Sequence, residues 1–546
     1  MTFRVGDAQI KNLNLWANSA LPLNGGATAY GTLLYNHRDS NGDAFFREAW
    51  DTSSNVAQIY PNGFLPHSKG TNEDWHVNGG VRGQVAGWAY DASLTYGLNS
   101  FKYALENSLN ASLGPASPTA FNLGGFRFGQ VTANLDFSGD VAWLGAANPL
   151  TLAYGLELRR ENFSDTAGDP ASYSTGAFPG TSGSQGDGGL NPLNVSSDSR
   201  SIAGLYADLS GNLAKNVFAD AAVRFDHYND AGSATTGKLS ARWEFVPNWS
   251  LRGAVSNNFR APALVQEWSS YSPTTYVSGG VLAGVQIVPV TSAPAQALGA
   301  QPLKPEKSRN LSLGITAQPV QQLQVTADLF HISIKDRIAL SQNLSPTSGG
   351  FAGNTYQFFT NAVDTTTRGA EVVASWSARV FGQNLRISDA SMWANNQISQ
   401  IHAQPPQVSA LGSGLLFGLQ AQNAITTAIP KRRDVVSFSW SGDRSANSWN
   451  LLARVTHTGE VTRVFDFGGG FVPTQTYGAT AQLDLEGEYQ ITRDLAVALG
   501  SQNVTNRYPT QSSSDINYYG NLPYDYLSPI GFNGRYVYAR LRYDLR

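Results

Sequence analysis

Gln130-Val131-Thr132-Ala133-Asn134-Leu135-Asp136-Phe137-Ser138 decides how this chain is read. Val131, Ala133, Leu135 and Phe137 alternate with polar neighbours. Strict alternation gives a strand one apolar and one polar face. Leu150, Leu152, Tyr154, Leu156 and Leu158 repeat the pattern against Thr151, Glu157, Arg159 and Glu161. So do Ala481, Leu483, Leu485 and Tyr489 against Gln482, Asp484, Glu486 and Glu488. It recurs along the chain in segments of roughly ten residues, the length a tilted strand needs to cross a bilayer. A large sheet that is apolar on one face and wet on the other can close around water with lipid outside. The fold expected is therefore all-β: a large antiparallel transmembrane β-barrel with short periplasmic turns and long extracellular loops.

Composition narrows the alternatives. At 546 residues the chain exceeds one ordinary soluble domain. No uninterrupted apolar run reaches the ~18 residues of a spanning helix, which excludes a helical membrane protein. A barrel is compatible with a mean hydropathy of -0.24, because only alternate residues meet lipid. The net charge of -3 and the lack of a basic stripe argue against nucleic acid as a partner. With 0 cysteines, thiol catalysis, cysteine metal sites and disulfides are ruled out.

Alternation and turn signals place strands at 11–21, 27–37, 74–86, 88–103, 128–139, 150–162, 200–213, 217–228, 238–246 and 249–259. They continue at 306–318, 323–335, 356–378, 383–395, 435–441, 448–458, 476–490, 494–504 and 534–545. Short connections such as Pro247-Asn248 and Thr492-Arg493 alternate with long segments at 163–199, 261–305, 336–355, 396–434 and 505–533. The short-turn side then holds Trp88, Trp243, Trp249 and Tyr489, as an interfacial belt should.

Met1-Thr2-Phe3-Arg4-Val5-Gly6-Asp7 shows no apolar export segment and no cleavage site. If the last strand descends to the periplasm, so does 11–21, and an ascending strand is expected before it. Bacterial barrels use even strand numbers. Residues 1–546 therefore read as one barrel domain, N-terminally truncated, with Phe3 to Gly6 the remnant of a first strand.

Enzyme chemistry is not signalled. His37, His67, His76, His227, His331, His402 and His457 form no H-x-x-x-H pair and no His/carboxylate cluster with ligand spacing. No phosphate-binding glycine loop and no nucleophile elbow is present. No cofactor, metal or catalytic residue is expected. Arg224, Asp226, Arg252, Asp328, Asp484, Glu486 and Glu488 alternate with apolar neighbours and are candidates for the lumen wall. Tyr271, Tyr276, Phe358, Phe359, Tyr518, Tyr519, Tyr524 and Tyr526 fall in or beside the long loops. They are candidate ligand contacts, since aromatic rings give large contact area and stack on flat ligands.

Several local patterns carry a family resemblance. Asn258-Phe259-Arg260-Ala261-Pro262, with Leu264 and Glu267, resembles the FRAP-x-x-x-E segment of TonB-dependent outer-membrane receptors. Leu303-Lys304-Pro305-Glu306-Lys307-Ser308, with Leu311 and Gly314, is similar to their L-x-P-E-x-S strand opening. Asn361 with Gly369, Ala370 and Glu371 resembles another of their strands. Asn503-Val504-Thr505-Asn506 with Tyr508-Pro509 resembles the penultimate strand, and Gly534-Arg535-Tyr536 to Tyr543 the closing one. Tyr60-Pro61-x-Gly63-Phe64-x-Pro66 and Ser108 to Pro115 resemble loops of one subgroup. The motifs stand in family order.

The resemblance implies a barrel of about 20–22 strands in the intact family member. It also implies an N-terminal plug, a TonB box and drive from TonB–ExbB–ExbD. The implied cargo is a scarce nutrient, most often a ferric siderophore. No plug or TonB box is recognised before residue 11. Arg260, Pro262, Pro305, Glu306, Gly369, Glu371 and Asn503 are implied to be framework residues. The implied setting is the outer membrane of a Gram-negative bacterium, with its lipid and an iron chelate as partners. A passive porin-like channel and a surface adhesin or phage-attachment barrel are the alternatives.

Overall fold

Tight turns set the hairpins. Ala86 and Gly87 have φ of 49° and 85°, and Phe381 and Gly382 of 52° and 77°. Positive φ at both central residues gives a turn whose twist matches the strands it joins, so Val85 pairs with Trp88 and Val380 with Gln383.

The computed structural model describes residues 8–142, 146, 148–277, 281–442, 445–467 and 470–545. Among these residues one sheet holds 19 strands. They are β1 (Gln9–Pro22), β2 (Thr28–Asp43), β3 (His67–Val85), β4 (Trp88–Glu106), β5 (Phe121–Val141), β6 (Leu150–Thr166) and β7 (Ser197–Ala214). Next come β8 (Val217–Tyr228), β9 (Gly232–Val246), β10 (Trp249–Arg260), β11 (Glu306–Val320), β12 (Leu323–Leu340) and β13 (Phe359–Val380). The last are β14 (Gln383–Ile401), β15 (Arg432–Ser441), β16 (Trp449–Thr458), β17 (Thr480–Gln490), β18 (Leu495–Gln502) and β19 (Tyr536–Tyr543). Each strand pairs antiparallel with its sequence neighbours, from Gln9↔Asn41 in β1–β2 to Leu495↔Tyr543 in β18–β19.

Every strand expected from alternation overlaps one of these. The boundaries differ most at the long-loop end. There β2 runs on to Asp43, and β3 begins at His67 with Asp43↔His67 in register. Residues 38–43 and 67–73 are polar on both faces, so alternation disappears while backbone pairing continues. The expected remnant at Phe3 to Gly6 lies outside the described residues. β1 and β19 both run from the long-loop end to the short-turn end, and no ladder joins them among the described residues. All of β1 is exposed.

The apolar face points outward: Val223, Phe225, Leu239 and Leu329 are 45–60% exposed. At the short-turn end, Trp88 packs edge-on against Tyr154 with ring centroids 5.4 Å apart. Trp449 lies 4.7 Å from Tyr489. This belt is where amphipathic rings meet a membrane interface.

The largest buried cluster sits in the loops rather than in the sheet. Val288, Ala295 and Leu298 of one loop meet Leu344, Tyr356 and Phe358 of a second and Val408 and Leu416 of a third. Phe64 packs on Leu109 and Ala111, joining the two loops that carry the Tyr60 and Ser108 motifs. Gly63, at φ 75°, lies so close to Arg47 that a side chain would overlap the Arg47 carbonyl. The long loops, polar in sequence, thus form a packed layer over the rim.

Candidate functional site

Loops from around the rim enclose a cavity of about 480 Å³. Its wall takes Phe45 from the first long loop, Asp187 from the third and Val285 from the loop after β10. Arg463, Phe465, Asp466 and Phe467 follow β16, and Tyr518, Asp525 and Tyr526 lie between β18 and β19. This volume, with aromatic and aliphatic side chains interleaved among carboxylates and amides, suits a small polar molecule.

Arg463 is placed by the hairpin of Val461–Val464 and Thr474–Tyr477, opposite Gln475. Its Nη1 donates to Asp525 Oδ2 at 2.9 Å, and the buried Tyr477 hydroxyl donates to the same oxygen at 2.7 Å. The guanidinium also lies over the Phe465 ring, 5.1 Å from its centroid. Burial, with Asp525 beside it, holds the Tyr477 hydroxyl protonated far above the usual range. Across the cavity, Tyr271 donates its hydroxyl to Asp187 Oδ1 at 2.8 Å. Burial pushes the Asp187 carboxyl up to about 6, against the pull of Arg47. Arg47 is fully buried, with Nε donating to Gln185 Oε1 at 2.8 Å. Asp43 pairs with His67, and Asp466 accepts from Gln342.

Aromatic rings pack around these charges. Phe45 lies 6.2 Å from Tyr518 and 5.9 Å from Tyr526. Phe467 lies 5.9 Å from Tyr518. Asn521 donates to Glu48 at 2.6 Å, and Trp50 meets Tyr519 edge-on at 5.7 Å. These contacts bring the first and last long loops together.

The expected ligand-contact residues therefore separate. Tyr518 and Tyr526 line the cavity, and Tyr271 reaches it through Asp187. Tyr519 is exposed against Trp50, and Tyr524 stacks on Tyr508 at 5.5 Å. Phe359 opens β13 opposite Leu340. Phe358 is fully buried in the loop core and supplies packing rather than contact surface. Tyr276 lies in the strand Ser272–Val277, with its side chain outside the described ones. Sequence reading missed Phe45, Phe465, Phe467 and the cavity's charged groups. The run Phe465-Asp466-Phe467 in a long loop was the available signal.

The polar-face residues pair with one another. Arg224 grips Asp226 at 2.7–3.0 Å and lies 3.4 Å from Glu157. Arg252 bonds both oxygens of Asp328 at 2.5 and 3.0 Å. Glu486 accepts from Arg540 at 2.7 Å, while Glu488 meets Arg540 and Arg542 at 3.3 Å. Asp484 accepts the Asn503 backbone N–H at 2.8 Å. Histidines also meet carboxylates across strands, His457 with Asp434 at 2.8 Å and His402 with Asp364 at 3.0 Å. Sequence spacing could not show these pairs. Among the described residues no group of three metal ligands forms.

The motif residues form structural nodes. Arg260 lies beside Glu306 at 3.6 Å and bonds Gln266 at 3.0 Å. Glu306 accepts the Ile338 N–H at 2.7 Å, and the Pro262 carbonyl accepts Arg200 Nη1 at 2.7 Å. Pro305 immediately precedes β11, and Glu371 faces Asp328 in the ladder. A side chain on Gly369 would overlap the Phe330 ring and the Trp393 carbonyl. Asn503, at φ 50°, closes a turn by bonding the Arg507 carbonyl and N–H at 2.7 and 2.9 Å. A larger hollow of about 710 Å³ is lined by Leu209, Leu239, Val255 and Leu311, and therefore opens on the apolar outer face.

A family described as TonB dependent receptor-like, beta-barrel, matches residues 16–504. An iron-regulated outer membrane virulence protein of Vibrio cholerae is 25% identical over 232 residues, which are 42% of this chain and 30% of that protein. A mutant of the ferric enterobactin receptor from Pseudomonas aeruginosa has a TM-score of 0.65 at 16% identity, covering 99% of this chain and 70% of that one. The siderophore receptor PirA of Acinetobacter baumannii has a TM-score of 0.64 at 14% identity, covering 99% and 71%.

Proposed function

Because the chain belongs to the TonB-dependent receptor-like β-barrel family, we propose that it forms the barrel of an outer-membrane receptor that imports a ferric siderophore by TonB-driven transport. The observation that carries this reading is the aromatic, charged cavity of about 480 Å³ in the loop layer, above a sheet with one polar face. A chelate held there stands at the mouth of the wall formed by Arg224, Asp226, Arg252, Asp328, Asp484 and Glu486. A plug and a TonB box, which energised import requires, act together with this barrel domain. TonB, with ExbB and ExbD, supplies the force from the inner membrane. The iron-regulated relative and the siderophore receptors of similar fold support an iron cargo.

Radio-iron uptake tests the proposal. Cells with the gene, cells without it, and cells with the gene but without TonB are compared under iron limitation. Uptake is expected only in the first. Uptake that needs the gene but persists without TonB would replace active import with porin-like diffusion.

A further inference from the structure

On the outer face of the sheet, leucines give way to cations toward the long-loop end. Along β11 the outward series runs Leu313, Leu311, Arg309, Lys307, and beside it on β12 runs Leu329, His331, Ser333, Lys335. Lys307, Arg309 and Lys335 line a hollow of about 630 Å³ together with Thr235, Asn257 and Phe259. Directly below it, along the same strands, lies the apolar hollow lined by Leu239, Val255 and Leu311. Among the described residues, none of these three cations has an ion pair or a side-chain hydrogen bond. Lumen arginines differ, since Arg252 holds Asp328 and Arg224 holds Asp226. One carboxylate, Asp336, shares the lining with the three cations. Glu306 is buried, taken up by the Ile338 N–H and Arg260, and Asp364 is held by His402. Lys307 and Lys335 stand directly opposite in the ladder, where like charges repel. An anion seated between them replaces that repulsion with charge-assisted hydrogen bonds.

We infer that this outer-face site binds a phosphorylated lipid of the cell-surface leaflet. The phosphate sits among Lys307, Arg309 and Lys335, and the acyl chains lie over Leu239, Val255, Leu311 and Leu313. The inference rests on the sheet being a membrane wall with its long loops outside, and it is independent of the cargo. A phosphomonoester carries about -1.5 to -2 charge at neutral pH, which suits clustered cations. A zwitterionic headgroup brings its own ammonium and leaves the cluster unmatched. The apolar hollow draws on neighbouring strands from β7 to β11. At the usual strand spacing that is a width of roughly 19 Å, so several acyl chains fit side by side.

Lipid binding to the purified full chain in detergent micelles tests this, read by native mass spectrometry. The probes are lipid A with its phosphates, the same lipid after phosphatase treatment, and inorganic phosphate as competitor. The phosphorylated lipid is expected to bind and the dephosphorylated one to be lost. Lys307→Gln, Arg309→Gln and Lys335→Gln should each weaken the phosphorylated lipid about fivefold, and together on the order of a hundredfold. Lys307→Arg with Lys335→Arg should retain binding, which separates lost charge from lost folding. Equal binding of the dephosphorylated lipid, or undiminished binding by the triple variant, would overturn the site. Full displacement of the lipid by an equal concentration of inorganic phosphate would also overturn it, by marking a site for the free anion. None of these readings involves a chelate or TonB, so the receptor proposal stands or falls separately.

Discussion

Arg200 is the residue on which most of one rim sector converges. It is 3% exposed, with Nε on Asp230 at 2.7 Å and Nη2 on Glu267 at 2.9 Å. Its third contact is the Pro262 carbonyl, so a single guanidinium ties the start of β7 to the β8–β9 turn and to the loop after β10. Arg200→Ala leaves the half-buried Glu267 and the more exposed Asp230 without their cation, and a loss of about 1–3 kcal/mol is expected, read as a fall in urea midpoint. Burial pushes the Glu267 carboxyl from its ordinary 4.5 up to about 7, although Arg200 pulls the other way. The folded carboxyl therefore keeps its proton to about 7, while the unfolded one releases it near 4.5. The stability linked to that proton is complete below 4.5 and is lost as pH rises to 7. Glu267→Gln is expected to flatten the urea midpoint across that window. An unchanged slope in the variant would assign the pH dependence to other groups. Sequence showed the motif spacing of Pro262 and Glu267 but not their shared partner, since Arg200 lies 62 and 67 residues away.

Among the elements, strands were legible where one face meets an apolar surroundings and the other does not. β8 shows the alternation at Val223-Arg224-Phe225-Asp226, with Val223 and Phe225 outward against Arg224 and Asp226. The upper halves of β2 and β3 were not legible, because water on both faces removes the pattern that burial imposes. Loop elements were hidden for the opposite reason. Phe358 packs on residues from three separate loops, and no local period records such an assembly. Phe358→Ala should cost about 3–5 kcal/mol and loosen that layer selectively. Hydrogen exchange is expected to rise in residues 285–300, 341–358 and 405–417 while β15 to β18 keep their protection. Gly369→Val should act on the wall instead. The added side chain strikes Phe330 and the Trp393 carbonyl, costing about 1–3 kcal/mol and lowering the yield of heat-resistant folded barrel on gels.

For the whole molecule, the order of strands followed from the sequence and the meeting of the first and last loops did not. Glu48 and Asn521 carry no shared motif, and only folding the entire wall brings them within 2.6 Å. The chain has 0 cysteines, so Glu48→Cys with Asn521→Cys supplies a clean test. A short bis-maleimide is expected to join them in folded protein and not in urea, giving a shifted band on denaturing gels. The cavity shares this dependence, since Phe45 and Tyr518 reach it from those same two loops. Every ladder of the wall joins sequence neighbours, whereas the Glu48–Asn521 contact spans 473 residues. Hairpins close short lengths of chain and form readily, while a contact of such span must wait for everything between its ends. The cavity between these loops is therefore expected to be the last feature to mature during biogenesis, and its formation to distinguish finished molecules from assembly intermediates.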